Sequence, residues 1–187
     1  MKNDAKLDGQ KISIPPTLLY TVLGDHQDVR KAVSSDFKDC GDTIFLLGET
    51  HQELGASELS YMLSEETGGG IGNDVPQIDT TRNLALYRAL TSAMSEGLVR
   101  SAHDCSDGGL ATAIAECCFG CDGGTTISLD GIEGVDNWAA LFGESLGRIV
   151  VTVSPENVQR FGTIMAKHSV TKLGQVDDKD TLEFTRD

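Results

Sequence analysis

Apolar positions along the chain change their period several times, and each change marks an element. Residues 1–11 are polar and read as a linker or frayed terminus, with the folded domain running over 12–187. Residues 12–16 introduce a near-continuous apolar run at 17–23, closed by Gly24, which predicts a buried strand. Alternating apolar and basic residues at 29–33 predict a short edge strand. After the Asp39-Cys40-Gly41-Asp42 turn, 43–48 is apolar without alternation, so this strand should be covered on both faces. Small residues then open a helix running to about Glu65, and the Gly-rich segment 67–74 is a loop.

Asp79 is placed to cap the next helix. There Leu84, Tyr87, Leu90, Met94 and Leu98 keep steps of three and four and predict one core-facing stripe. Residues 97–100 approach as a strand, and a helix follows with Leu110, Ile114 and Cys118 on one face. Further strands are predicted at 125–129, 149–153, 171–176 and 181–184. Ser154-Pro155-Glu156 starts a helix whose apolar face is Val158, Phe161, Ile164 and Met165. The order β-β-β-α-α-β-α-β-α-β-α-β-β predicts an α+β fold, a layered α/β/α domain with a mixed sheet. Strand 148–153, its helix and the strand from Thr171 form a βαβ-like, partly ferredoxin-like unit.

The stretch 101–110, Ser-Ala-His-Asp-Cys-Ser-Asp-Gly-Gly-Leu, carries the most chemistry. Gly108 and Gly109 open a helix with amides uncovered by side chains, a setting that suits a phosphate. Asp104 and Asp107 beside such a phosphate call for a cation between them, and Mg²⁺ takes one or two carboxylates together with phosphate oxygens and water. The plainer alternative is that Asp107 or Ser106 caps the helix and Asp104 ends a strand. A second strand-loop-helix repeats the design at 48–59, where Gly55 and Ser57 would let a ligand approach the backbone. His51 in that loop reads as a surface residue. Glu144, Ser145 and Arg148 precede a strand and can bind a polyol or phosphate, or else form an ordinary turn with a surface ion pair.

Composition narrows the function. A formal charge of −14 over 187 residues argues against nucleic acid and against anionic membranes. No apolar run approaches 18 residues and no charged-then-apolar leader is present, so neither a span nor a secretory signal is expected and the chain reads as cytoplasmic. Five cysteines, an odd number with two adjacent, fit a reducing compartment and buried packing roles better than disulfides.

Four motifs in order, Ile14-Pro15-Pro16-Thr17-Leu18-Leu19, Leu47-Gly48-Glu49-Thr50 with Leu54-Gly55-Ala56-Ser57-Glu58, His103-Asp104-Cys105-Ser106-Asp107-Gly108-Gly109-Leu110-Ala111, and Phe142-Gly143-Glu144-Ser145, resemble the phosphoribosylformylglycinamidine synthase family. The resemblance is to the C-terminal domain of its second aminoimidazole-ribonucleotide-synthetase-like half and runs from about Lys11 onward. It implies a part in a ligase of purine biosynthesis. In that reaction ATP phosphorylates the amide oxygen of formylglycinamide ribonucleotide, and ammonia from glutamine displaces the phosphate.

The resemblance implies no catalytic residue here and an inactive isolated chain. Implied cofactors are Mg²⁺ and ATP or ADP. Implied partners are the N-terminal domains, a glutaminase and small accessory subunits, with self-association a further expectation. Asp104 matches a magnesium-holding position beside nucleotide phosphates. Glu144 and Ser145 match a substrate-contacting Glu-Ser-Gln in the family's first half, where Leu146 now replaces the Gln. The alternatives are a non-catalytic structural module, or a domain of another ATP-dependent member of the superfamily such as selenophosphate synthetase.

Overall fold

The computed structural model describes residues 4–13, 19–26, 28–121 and 123–187. These divide into two compact units, residues 1–30 and 31–187. In the first, β1 (Asp4–Leu7) and β2 (Gln10–Ser13) form an antiparallel hairpin. Its turn is Asp8-Gly9, with φ of 49° and 80°. Two successive positive φ angles are what a two-residue hairpin requires, and Asp-Gly supplies them. Polarity alone had suggested a frayed linker over these residues.

The expected strand at 17–23 falls partly outside the described residues. Its remainder, from Leu19 on, has no regular structure, and Leu19 and Leu23 are more than nine-tenths exposed. An apolar run becomes a buried strand only where it finds a sheet edge, and every strand of the main sheet comes from residue 43 onward. Residues 29–33 likewise give a 3₁₀ turn (Val29–Lys31) instead of an edge strand. Asp28 accepts from the Arg30 backbone N–H at 3.2 Å and from its guanidinium at 2.8 Å, which favours the turn.

The larger unit is built on a six-stranded sheet. In chain order the elements are β3 (Thr43–Leu47), α1 (Glu58–Thr67), α2 (Thr80–Ser95), β4 (Val99–Asp104), α3 (Gly109–Cys118), β5 (Gly124–Ser128), α4 (Asn137–Phe142), β6 (Ile149–Val153), α5 (Val158–Met165), β7 (Val170–Asp177) and β8 (Leu182–Thr185). The strand order is β4-β6-β3-β7-β5-β8. All pairs are antiparallel except β5 with β8, so the sheet is mixed. Because β6 and β7 both run antiparallel to the β3 between them, β6-α5-β7 is a split βαβ unit, the partly ferredoxin-like arrangement read from the sequence.

Strand β3 is the axis, with all five residues buried. Ile44 and Leu46 face one core with Leu110, Ile114, Ile127, Val150 and Leu173 under α3 and α4. Phe45 and Leu47 face the other with Leu86, Leu90, Val151, Phe161 and Met165 under α2 and α5. The Phe45 and Phe161 rings lie 5.5 Å apart. Helices on both faces make the three α/β/α layers and explain why this strand shows no polar alternation. Cys105 and Cys117 pack in the first core, and burial pushes their thiols up to about 11 and about 12. They are small hydrophobes there. No helix among the described residues is long and apolar enough to cross a membrane.

The stripe on α2 is rotated from its expected position. Leu86, Leu90 and Ala93 are buried, whereas Leu84 is 50% exposed and Tyr87 40%. The period holds and Leu90 and Leu98 are buried as expected, but the buried face is turned by about a quarter of a turn, with Leu86 and Ala93 at its centre and Met94 only partly buried at its border. Replacing Leu86 by Ala should cost about 2–5 kcal/mol of stability, while Leu84→Ala should stay within about 0.5 kcal/mol. Urea unfolding of the two variants checks this, and equal losses would contradict the rotated stripe.

Candidate functional site

Three loops meet at one end of the sheet: 48–57 after β3, 104–109 after β4, and 143–148 before β6. Their junction is held by two side chains of the third loop. The Glu144 carboxylate takes two backbone N–H groups on a single oxygen, Oε1: that of Gly108 at 2.9 Å and that of Glu58 at 2.9 Å. These are the opening amides of α3 and α1, so one carboxylate caps two helices. Each helix places the positive end of its dipole at this point.

Arg148 is the second tie. It is 1% exposed and forms no ion pair among the described residues. Its guanidinium donates to the Ser145 carbonyl at 3.3 Å, to Thr50 Oγ1 at 3.1 Å and to the Gly143 carbonyl. Burial lowers its pKa from the usual arginine value, and the nearby Cys105, Glu53 and Glu144 oppose that shift. The sequence offered a ligand-binding arginine or a surface ion pair; the structure shows an internal clamp on carbonyl oxygens. Ser145 is fully buried, and its hydroxyl accepts from the His51 N–H at 3.0 Å. The His51 side chain is exposed, as expected.

Glycine is required at two places in the junction. Gly109 has φ 67°, and a Cβ there would lie 2.5 Å from the Gly143 carbonyl oxygen. A Cβ at Gly55 would lie 2.5 Å from the Asp74 nitrogen, in a segment where Gly55 N–H bonds the Asp74 carbonyl at 2.9 Å. The close approach read at Gly55 is thus to the chain's own backbone. Ser57 is also taken up internally: it is 1% exposed, its hydroxyl donates to the Leu54 carbonyl at 2.7 Å and accepts from Ser60 N–H at 3.2 Å, capping α1. Neither Ser106 nor Asp107 caps α3; the residue at that position is Gly108, with φ 78° and no side-chain cap. The bare amides expected at Gly108 and Gly109 are partly filled, one by Glu144 and the other by the Ser106 carbonyl at 3.0 Å.

What remains open is a cleft of about 680 Å³ beside α3. Asp104, Ser106, Asp107 and Glu144 line it together with Pro76, Tyr87, Leu146 and the guanidinium-bearing Arg148. β4 runs on through His103 to Asp104, further than the sequence indicated, and so carries Asp104 to the cleft rim. The Asp104 side chain is 72% exposed and pairs with no lysine or arginine among the described residues. The Ser106 hydroxyl donates to it and, as the largest effect, holds its carboxyl below the usual range. His103 lies beside it, with Nδ1 2.7 Å from the Asp104 carbonyl oxygen and Nε2 3.0 Å from Glu116.

Among the described residues no group of three or more His, Cys, Asp or Glu side chains converges on one point. Of the three acids that line the cleft, Glu144 is taken up by two backbone amides, which leaves Asp104 and Asp107. That fits Mg²⁺ held jointly with phosphate oxygens and water, and does not fit an all-protein cage. A separate cleft of about 650 Å³ lies on the α2 and α5 side, where Arg82 pairs with Glu49 and Asp79.

Fold and junction together define a three-layer α/β/α domain whose loops at one sheet end enclose an acidic cleft. Residues 40–187 match AIR synthase related protein, C-terminal domain, and the chain belongs to that family. The chain is 42% identical over 167 residues to the phosphoribosylformylglycinamidine synthase subunit PurL of Thermobifida fusca, an alignment covering 88% of this chain and 21% of that protein. It therefore spans about a fifth of the length of this relative. Among solved structures it resembles Thermotoga maritima PurL complexed with FGAR, with TM-score 0.72 and 22% identity over 84% of this chain and 27% of that one. It also resembles Escherichia coli HypE, a hydrogenase maturation protein, with TM-score 0.59 and 15% identity over 82% and 49% of the two chains. These structural likenesses establish the α+β fold.

Removing the shared cap tests the junction. Glu144→Ala leaves two amides to find water and should cost about 1–3 kcal/mol, while Glu144→Gln keeps an acceptor and should lose about 1 kcal/mol or less. Denaturant midpoints report both, and an alanine variant as stable as the wild type would show that the amides have other partners.

Proposed function

We propose that this chain serves as the C-terminal domain of a phosphoribosylformylglycinamidine synthase subunit. Its acidic cleft would hold a Mg²⁺-bound nucleotide, ATP or ADP, and the chain alone would be inactive. The observation that carries the reading is Asp104: exposed at a strand end, unpaired with any lysine or arginine among the described residues, and sharing a cleft with Asp107 at the start of α3. The 42% identity to PurL supports the assignment to the amidation of formylglycinamide ribonucleotide in cytoplasmic purine biosynthesis. Thermotoga maritima PurL, which shares the fold, has been captured with ATP and with ADP.

In this reading Asp104 and Asp107 carry the metal, which would offset the phosphate charges. Gly108 and Gly109 allow the helix start to come close, and Glu144 orients it. Gly55, Ser57 and Ser145, taken from the sequence as ligand contacts, shape the loops from behind. The catalytic histidine and most nucleotide ligands would come from the enzyme's N-terminal domains, with ammonia from a glutaminase held by small accessory subunits. A relative of this fold occurs in the PurLQS assembly of Thermotoga maritima. Helix α1 supports burial in such an assembly, since none of its residues is buried and Tyr61, Met62 and Leu63 are all about half exposed.

Titration calorimetry with ADP tests the reading. Binding should require Mg²⁺ and should weaken at least about tenfold in Asp104→Ala, which removes one of two metal carboxylates. Binding that ignores Mg²⁺ and Asp104 would overturn the metal role of these carboxylates, and no binding in the presence of the N-terminal half would favour a purely structural module.

A further inference from the structure

The lining of the acidic cleft is mixed in chemistry. Asp104 and Asp107 offer carboxylates, whereas Pro76, Tyr87 and Leu146 present apolar surface, with Tyr87 40% exposed and Leu146 48%. A metal-bound phosphate has no use for an apolar wall; a ligand with a flat, weakly hydrated portion does. We propose that the cleft takes a nucleoside diphosphate or triphosphate whose base stacks on Tyr87, which makes Tyr87 the residue that distinguishes a nucleotide from a bare polyphosphate. This rests on the reading of the cleft as a site for metal-bound phosphate.

The rotation of α2 is what makes the ring available. With Leu86, Leu90 and Ala93 turned into the core, Tyr87 stands at the border of the buried face, next in sequence to a residue only 3% exposed. Its backbone is fixed within the helix, where its carbonyl also accepts from Thr91 Oγ1 at 2.8 Å. A ring on a rigid helix, part covered and part open, is a ready stacking platform, and any base offers it a π-face. Leu146 and Pro76 extend the apolar wall. A volume of about 680 Å³ lies within the range of small-molecule sites and leaves room for a base as well as phosphates.

Calorimetry of Mg²⁺ADP and Mg²⁺pyrophosphate against the wild type, Tyr87→Ala and Tyr87→Phe separates this inference from the reading beneath it. Tyr87→Ala should weaken ADP at least about tenfold while leaving pyrophosphate as it is, and Tyr87→Phe should bind ADP like the wild type. If ADP and pyrophosphate bind the wild type equally, or Tyr87→Ala leaves ADP unchanged, the stacking role is overturned while the phosphate site stands. If neither binds with Mg²⁺, both fall.

Discussion

A single carboxylate oxygen of Glu144, shared between the first amides of two ten-residue helices, is the contact on which the functional end of this domain depends. Helix starts carry unpaired N–H groups and the positive end of the dipole, and two such starts brought together would repel each other and demand solvent. One anion between them removes both costs. It also fixes the distance between α1, which follows the loop after β3, and α3, which follows β4. Arg148 completes the arrangement from inside by collecting carbonyl oxygens that the turn at 143–147 leaves without partners. Loops that would otherwise be set only by their ends are thereby held in one shape.

This internal anion also changes how the acidic cleft can work. A helix start preceded by two glycines suggests a direct phosphate cradle, yet the Gly108 amide already has its anion in Glu144. Arg148 also lines the cleft but is engaged by carbonyl oxygens, so in the proposed reading charge for a phosphate would come from a cation on the exposed acids, and Asp104, paired with no lysine or arginine among the described residues, would matter more than the glycines behind it. The glycines serve close packing: Gly109 lies against the Gly143 carbonyl and admits the third loop to the helix tip.

Much of this was legible in the sequence. The unalternating run of β3 announced a strand between two layers, Asp79 announced a helix start, and the motif order pointed to the family. What local pattern does not carry is partnership between distant segments. Nothing around Glu144 states that it will cap helices beginning at 58 and 108, and nothing around Arg148 states that it will be buried against carbonyls instead of facing a ligand. The phase of the α2 stripe escaped for a related reason, since Leu84 and Tyr87 satisfy the period as well as Leu86 does, and only packing against the sheet decides between them. The hairpin over 4–13 is different in kind: Asp8-Gly9 is a local turn signal in the sequence, and reading the segment by its polarity alone passes over it.

Amide hydrogen exchange followed by NMR at Gly108 and Glu58 tests the shared cap most directly. If one carboxylate oxygen holds both, the two amides should be protected in the wild type and should lose protection together in Glu144→Ala, while amides in the middle of β3 stay slow. Fast exchange at either position in the wild type, or loss at one without the other, would contradict a common anchor for the two helices.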